Sequence, residues 1–228
     1  MTMTGKNTGA DLKSGSYFFL LAALMLILAT IGILHFFSAE DQKHLLAEGG
    51  FFENLTVLGY GVCLLLIWSC WPWQKVRERW YFSALIILFA LRELDYDKSH
   101  FTLGLLKARQ YTGDMVGFPE KIISIMLLVL LVALLISILV NETRAFISGL
   151  IAAKPSELAV LSSLVLIVVT KSVDGLGRKL ADFNITISKS VEQTATVVEE
   201  IGELGIPIMF AVAIILSADF YFRKRSVL

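Results

Sequence analysis

Six uncharged, mainly apolar runs divide this 228-residue chain and constrain its fold more than any other feature. A helix that crosses a bilayer needs about 20 such residues, and lipid offers no hydrogen-bond partner to an open sheet edge. The runs therefore predict an all-α, polytopic membrane helical bundle with about six transmembrane helices. The expected spans cover residues 15–37, 53–73, 80–99, 120–141, 157–176 and 199–220.

The composition of the chain agrees with a membrane protein. Apolar residues make up 56% of the sequence and charged residues 18%, whereas soluble domains carry about 25% charged residues. Because no polar stretch is long enough to form a soluble domain, we expect a single integral membrane domain over residues 1–228. Twenty basic residues balance twenty acidic residues, so nothing in the charge indicates a nucleic-acid partner.

Short basic segments indicate the orientation. Lys75, Arg77 and Arg79 lie between the second and third runs, and Arg223-Lys224-Arg225 lies close to the end of the sequence. With six spans both segments are on the same side, which the positive-inside rule assigns to the cytoplasm. The sequence therefore predicts cytoplasmic termini in a multi-pass protein of the inner or plasma membrane.

Three runs are too short to cross a membrane unaided, and all three meet charged residues on the outer side. They cover residues 80–91, 158–170 and 204–218 and hold 12, 13 and 15 residues. As helices they reach only about 18–23 Å across roughly 30 Å of hydrocarbon. A charge within a span costs about 2.5–3.5 kcal/mol at the helix centre, and such residues usually face the bundle interior and mark functional sites. The pattern predicts an outward-facing charged pocket.

Helical spacing and residue chemistry select the candidates for this pocket. The expected ligand-binding residues are Glu53, Arg92, Asp95, Lys171, Asp174 and Arg178. Carboxyl groups beside bases can act as general acid and base, and the candidates for that role are Glu93, Asp97, Glu200 and Glu203. A structural interpretation has similar weight, because the same bases can neutralise the carboxylates and join the helices where they meet water.

A divalent metal is the one cofactor that the pattern suggests. Glu93, Asp97 and His100 follow one another at i, i+4 and i+7, so they share a helix face, and Glu203 can complete the shell. The chain has three histidines and no paired-histidine motif, so the metal prediction depends on this set alone. Pro207 lies four residues after Glu203 and deprives that carbonyl of its helical partner. The freed carbonyl can bind a cation, or the proline can simply steer the helix.

Three hypotheses for function follow, and the sequence leaves open whether the protein is an enzyme. In the first, the pocket binds or acts on a lipid headgroup or small polar ligand, with Arg92, Lys171 and Arg178 holding a phosphate. In the second, the chain is a small transporter component. In the third, it is a non-catalytic accessory or assembly subunit that contacts another membrane protein. Membrane lipids are expected partners in all three.

Overall fold

The computed structural model describes residues 8–47, 49–96, 100–105, 107–112 and 115–226. Within these ranges the regular elements are all helices, and no strand is present. The helices are α1 (Thr8–Leu34), α2 (Ala39–Leu45), α3 (Phe51–Cys70), α4 (Trp73–Glu78), α5 (Trp80–Glu93), α6 (Arg109–Thr112), α7 (Phe118–Ile151), α8 (Pro155–Val173), α9 (Leu176–Ala181) and α10 (Lys189–Ser226). The predicted all-α class is confirmed for the described part of the chain.

Five helices are long and apolar enough to cross a membrane. They are Ser14–Leu34 within α1, α3, α7, α8, and Lys189–Ala218 within α10. Apolar side chains on the outer faces of these helices are widely exposed, for example Phe18 at 74% and Val140 at 75%. Since soluble proteins rarely expose such large apolar surfaces, these faces are compatible with contact to lipid.

The helix in the third predicted span, α5, is shorter than the sequence predicts. It has 14 residues and ends at Glu93, whereas the expected span continued to residue 99. Asp95 adopts a left-handed backbone conformation with φ 47°, which does not continue a right-handed helix. The early end leaves Arg92 and Glu93 in the last turn of α5, at the level where the other charged helix ends meet.

Helix α10 is the central element of the bundle, with α1, α3 and α8 packed around it. One apolar cluster joins α10 to α1 and α8 through residues such as Ile27 and Val197. A second cluster joins α10 to α3 and α5 through residues such as Cys63 and Ile214. Both clusters are buried, so α10 is covered by other helices on two sides along most of its apolar segment.

Close helix contacts at α10 depend on glycine. A Cβ on Gly202 would lie 2.5 Å from Cγ2 of Thr170 in α8, and a Cβ on Gly59 in α3 would lie 3.0 Å from Cγ of Pro207. Small residues of this kind let membrane helices approach closely and pack by van der Waals contact. Pro207 lies inside α10, which continues as one helix of 38 residues on both sides of it.

Polar contacts also link the helices at the end of the bundle that contains Glu142. The guanidinium Nε of Arg79 lies 3.2 Å from Oε1 of Glu142 in α7, and the Tyr81 hydroxyl donates to the same carboxylate. The indole Nε1 of Trp71 donates to Oγ of Ser217 in α10 at 3.1 Å. These contacts connect α3, α5, α7 and α10 at what we term the Glu142 end.

Candidate functional site

The charged residues predicted for the outer pocket come together at the opposite end of the bundle. Helix α3 begins there, α5 and α8 end there, and α10 passes through it. We define the Glu203 cluster as eight side chains from these four helices: Glu53, Arg92, Glu93, Lys171, Asp174, Glu199, Glu200 and Glu203. Seven of them were candidate site residues on sequence grounds, and Glu199 adds an eighth from the same turn of α10.

Glu203 is the centre of the ion pairs. Nη2 of Arg92 lies 3.1 Å from its Oε1, and Nζ of Lys171 lies 3.0 Å from the same oxygen. The Glu203 side chain is 13% exposed, whereas those of Arg92 and Lys171 are 44% and 42% exposed. One largely buried carboxylate on α10 therefore binds bases from α5 and α8. This arrangement agrees with the structural interpretation for these three residues.

Secondary contacts hold the two bases in place. Nζ of Lys171 also lies 3.4 Å from Oδ2 of Asp174, the residue that directly follows α8. Nζ of Lys179 donates to the main-chain carbonyl of Lys171 at 2.8 Å and so satisfies one of the free carbonyls at the end of α8. Arg92 lies 3.7 Å from Oε1 of Glu93, a longer contact than its pair with Glu203. The bases are thus directed mainly toward Glu203.

The other carboxyl groups outnumber the bases. The cluster holds six acidic and two basic side chains, a formal charge of −4 when all are ionised. Glu200 interacts electrostatically with Glu203, Glu199, Glu53 and Glu93, which are all acidic. In the part of the chain that the structure describes, Glu200 has neither a hydrogen bond nor an ion pair. Carboxylates that share a partly buried site repel one another unless a proton or a cation offsets their charge.

Two of the remaining acids have polar partners of other kinds. The Glu199 carboxyl interacts electrostatically with the neighbouring Asp174 carboxyl, and a hydrogen bond between the two requires a proton on one of them. Oε2 of Glu53 accepts from the main-chain N–H of Gly49 at 2.6 Å. Neither partner is a base, so these contacts orient the side chains without supplying positive charge.

Tyr60 lies beneath the cluster and was not among the predicted site residues. Its side chain is fully buried, and its ring stacks on Phe89 of α5 at a centroid distance of 5.7 Å. The hydroxyl interacts electrostatically with Glu93, Arg92 and Glu203, yet it has no hydrogen-bond partner among the described residues. The spacing of Glu53 and Tyr60, seven residues apart, does indicate a common face on α3, but nothing in the sequence selects the tyrosine as a site residue.

Three further candidates lie in the segments that follow α5 and α8, and a fourth lies outside the described residues. Asp95 lies in the turn that follows α5. The exposed guanidinium of Arg178 folds over Gly175, where a Cβ would lie 2.9 Å from Nη2. His100 stacks on Tyr96 at 3.8 Å between ring centroids. Asp97 lies outside the described residues.

Among the described residues, no three His, Cys, Asp or Glu side chains are grouped as metal ligands are. The shell of Glu93, Asp97, His100 and Glu203 therefore stays a prediction from the sequence. Two surface depressions of about 600 Å³ each lie elsewhere, along α7 near Arg144 and around α4 near Gln74. The Glu203 cluster lines neither depression. Its selection as the candidate functional site therefore depends on the charges and contacts of its side chains.

No protein-family model, curated protein or solved structure matches this chain.

Proposed function

We propose that this chain is a multi-pass membrane protein whose outward-facing Glu203 cluster binds the positively charged group of a small polar ligand or of a lipid headgroup. The observation that supports this most directly is Glu200, a carboxyl among four others with no base beside it. An ammonium group supplies the missing charge, and its N–H groups form charge-assisted hydrogen bonds to carboxylate oxygens.

The positions of the two bases favour a cationic group over a phosphate. Arg92 and Lys171 both bind Glu203, and a phosphate that recruited them would leave that largely buried carboxylate unpaired. Breaking a largely buried ion pair costs more free energy than forming an exposed ion pair with the phosphate would gain. The ligand's phosphate, where it has one, therefore lies beyond the cluster, and its ammonium group enters the cluster.

We also infer that α5 is a sixth, short crossing. It packs beside α3 in the opposite direction, since Trp71 contacts Phe82 near one end of the pair and Tyr60 stacks on Phe89 nearer the other. Charged residues at both ends of α5 have partners there, so its 14 residues connect the Glu142 end with the Glu203 cluster.

With six crossings, both chain termini lie on the same side of the membrane, at the Glu142 end of the bundle. The Tyr17 hydroxyl near the start of α1 donates to the carbonyl of Ala153, and Ser217 near the end of α10 accepts from Trp71. The basic segment between α3 and α5 lies at this end as well. By the positive-inside rule this end is cytoplasmic, which makes the Glu203 cluster face outward from an inner or plasma membrane.

The proposal is tested by comparing an amine-bearing lipid with one that has none. Full-length protein is placed in nanodiscs that contain phosphatidylethanolamine and phosphatidylglycerol in equal amounts, and retained lipid is measured by native mass spectrometry. We expect enrichment of phosphatidylethanolamine, and we expect Glu200→Gln to weaken it by roughly 10-fold or more, because one charged hydrogen bond contributes about 1.5–3 kcal/mol.

Glu192→Gln is the matched control, because Glu192 is an exposed acid on the same helix. Calorimetric titration of the detergent-solubilised protein with ethanolamine distinguishes a free amine from a lipid as the source of the ammonium group. Equal retention of the two lipids together with no ethanolamine binding would rule out the proposal. Equal losses of bound phosphatidylethanolamine in the Glu200 and Glu192 variants would show that the lipid binds outside the cluster.

A further inference from the structure

Three oxygen-bearing groups on α3, α5 and α10 are candidates for a second and smaller site next to the Glu203 cluster, since Tyr60 interacts electrostatically with both Glu93 and Glu203. Its first member is the Tyr60 hydroxyl, which is buried and without a hydrogen-bond partner among the described residues. A buried hydroxyl without a partner costs about 1–3 kcal/mol. Because the ring is fixed against Phe89, the hydroxyl has little freedom to find a partner elsewhere. The Tyr60 hydroxyl therefore keeps its full capacity to bind a ligand at this position.

Pro207 supplies the second oxygen. It has no N–H, so the main-chain carbonyl of Glu203, four residues earlier in α10, lacks its helical donor. The proline ring packs against Gly59 of α3, so the freed carbonyl lies on the side of α10 that faces the helix of Tyr60. The Cys63 thiol donates to the carbonyl of Pro207 itself at 3.2 Å and does not replace the missing donor.

Glu93 supplies the third oxygen and the negative charge. It is 8% exposed, and it interacts electrostatically with the Tyr60 hydroxyl. Its nearest base is Arg92 at 3.7 Å, and that guanidinium makes its shorter contact of 3.1 Å to Glu203. The Glu93 carboxylate therefore keeps capacity for a further cation.

We propose that these three groups bind a monovalent metal cation of sodium size: the Tyr60 hydroxyl, the Glu93 carboxylate and the main-chain carbonyl of Glu203. Hard cations take oxygen ligands, and freed backbone carbonyls within broken membrane helices coordinate sodium in transporters. A divalent ion prefers several carboxylates, and in the described ranges no three His, Cys, Asp or Glu side chains are placed to share one metal ion. One carboxylate with two neutral oxygens balances a single positive charge.

This cation site lies next to the ammonium site of the proposed function and shares Glu93 with the Glu203 cluster. Glu200 and Glu53 contribute to the outer cluster, whereas Tyr60 and the carbonyl freed by Pro207 lie further inside the bundle. The two sites share the neighbourhood of Glu203, so each is tested with substitutions that leave the other intact. Substitution of Tyr60 tests the cation site, and substitution of Glu200 tests the ammonium site.

The test is the thermal unfolding of the detergent-purified full chain as sodium chloride replaces potassium chloride at constant ionic strength. A cation that binds only the folded state raises the Tm saturably, by roughly 3–6 °C at a sodium concentration ten times Kd. Tyr60→Phe keeps the ring stacked on Phe89 and removes one ligand, so the sodium-dependent rise should disappear. Pro207→Ala restores an N–H for the Glu203 carbonyl and should reduce the rise as well.

Ser83→Ala is the matched control, because Ser83 has the other buried side-chain hydroxyl without a partner among the described residues. It should keep the full sodium-dependent rise, as should Glu200→Gln. A wild-type Tm that does not respond to sodium would overturn the proposal and leave a bound water as the partner of Tyr60. An equal rise in wild type and Tyr60→Phe would place any sodium site elsewhere.

Discussion

Glu203 illustrates how one residue can connect three helices. Its Oε1 atom accepts from Arg92 of α5 and Lys171 of α8, while the residue itself lies on the central helix α10. Each base is exposed enough to be hydrated, so each pair taken alone contributes little to stability, as exposed ion pairs generally do. The carboxylate is largely buried, however, and its charge must be offset by at least one of them.

This geometry predicts that the two bases substitute for each other. Arg92→Gln or Lys171→Gln alone should lower the free energy of unfolding by less than about 1 kcal/mol. The double variant should lose at least about 0.5 kcal/mol more than the two single losses combined, because Glu203 then has no cation. Denaturant unfolding of the four proteins measures the coupling.

The same cycle on a Glu203→Gln background provides the control. With the carboxylate neutralised there is no shared partner, so the two substitutions should become additive. Coupling that persists without the Glu203 carboxylate would show that the bases interact through another residue, and additivity in the wild-type background would contradict their shared role.

At the scale of elements, the contact between α3 and α10 sets the geometry of the site. Gly59 faces the Pro207 ring, and Tyr60 is the next residue along α3, so the close approach of these helices brings the Tyr60 hydroxyl beneath the cluster. Gly61 lies on the same helix with nothing within 4 Å of a Cβ built there. The two glycines therefore differ in packing and share the same helical backbone.

The contact predicts opposite effects for the same substitution at these glycines. Gly59→Ala would place a methyl group 3.0 Å from the proline ring, and overpacking of this kind costs about 1–3 kcal/mol. Gly61→Ala meets open space and should keep or raise stability, since alanine is favoured over glycine in helices by about 1 kcal/mol. The midpoints of thermal unfolding of the two variants in one detergent provide the measurement. A similar Tm for both variants would contradict the close contact at Pro207.

Hydropathy and charge along the sequence predict most of the architecture, for a physical reason. Lipid excludes unpaired backbone groups and isolated charges, so long apolar runs become helices, and Glu93, Lys171 and Glu203 gather where their helices meet. The sequence does not indicate the early end of α5, because a left-handed residue such as Asp95 depends on local turn geometry. It also does not indicate that Glu203 would take both bases, since the choice between neighbouring carboxyls depends on distances of a few tenths of an ångström.

At the scale of the whole molecule, the orientation depends on whether α5 crosses the membrane. Between Gln74 on α4 and Glu192 on α10, the chain passes along α5, α7 and α8. Three crossings place these two residues on opposite sides, whereas two crossings place them on the same side. Both side chains are exposed, so a probe can reach either one from water.

Cysteine labelling decides between these topologies. Gln74→Cys and Glu192→Cys are introduced separately into a chain in which Cys63 and Cys70 are replaced by alanine, and intact cells are treated with a membrane-impermeant maleimide. We expect labelling at position 192 on intact cells and labelling at position 74 only after the membrane is permeabilised. Reversed labelling would invert the orientation and contradict an outward-facing Glu203 cluster. Identical labelling at both positions would show that α5 does not cross, because only an even number of crossings leaves both residues on one side.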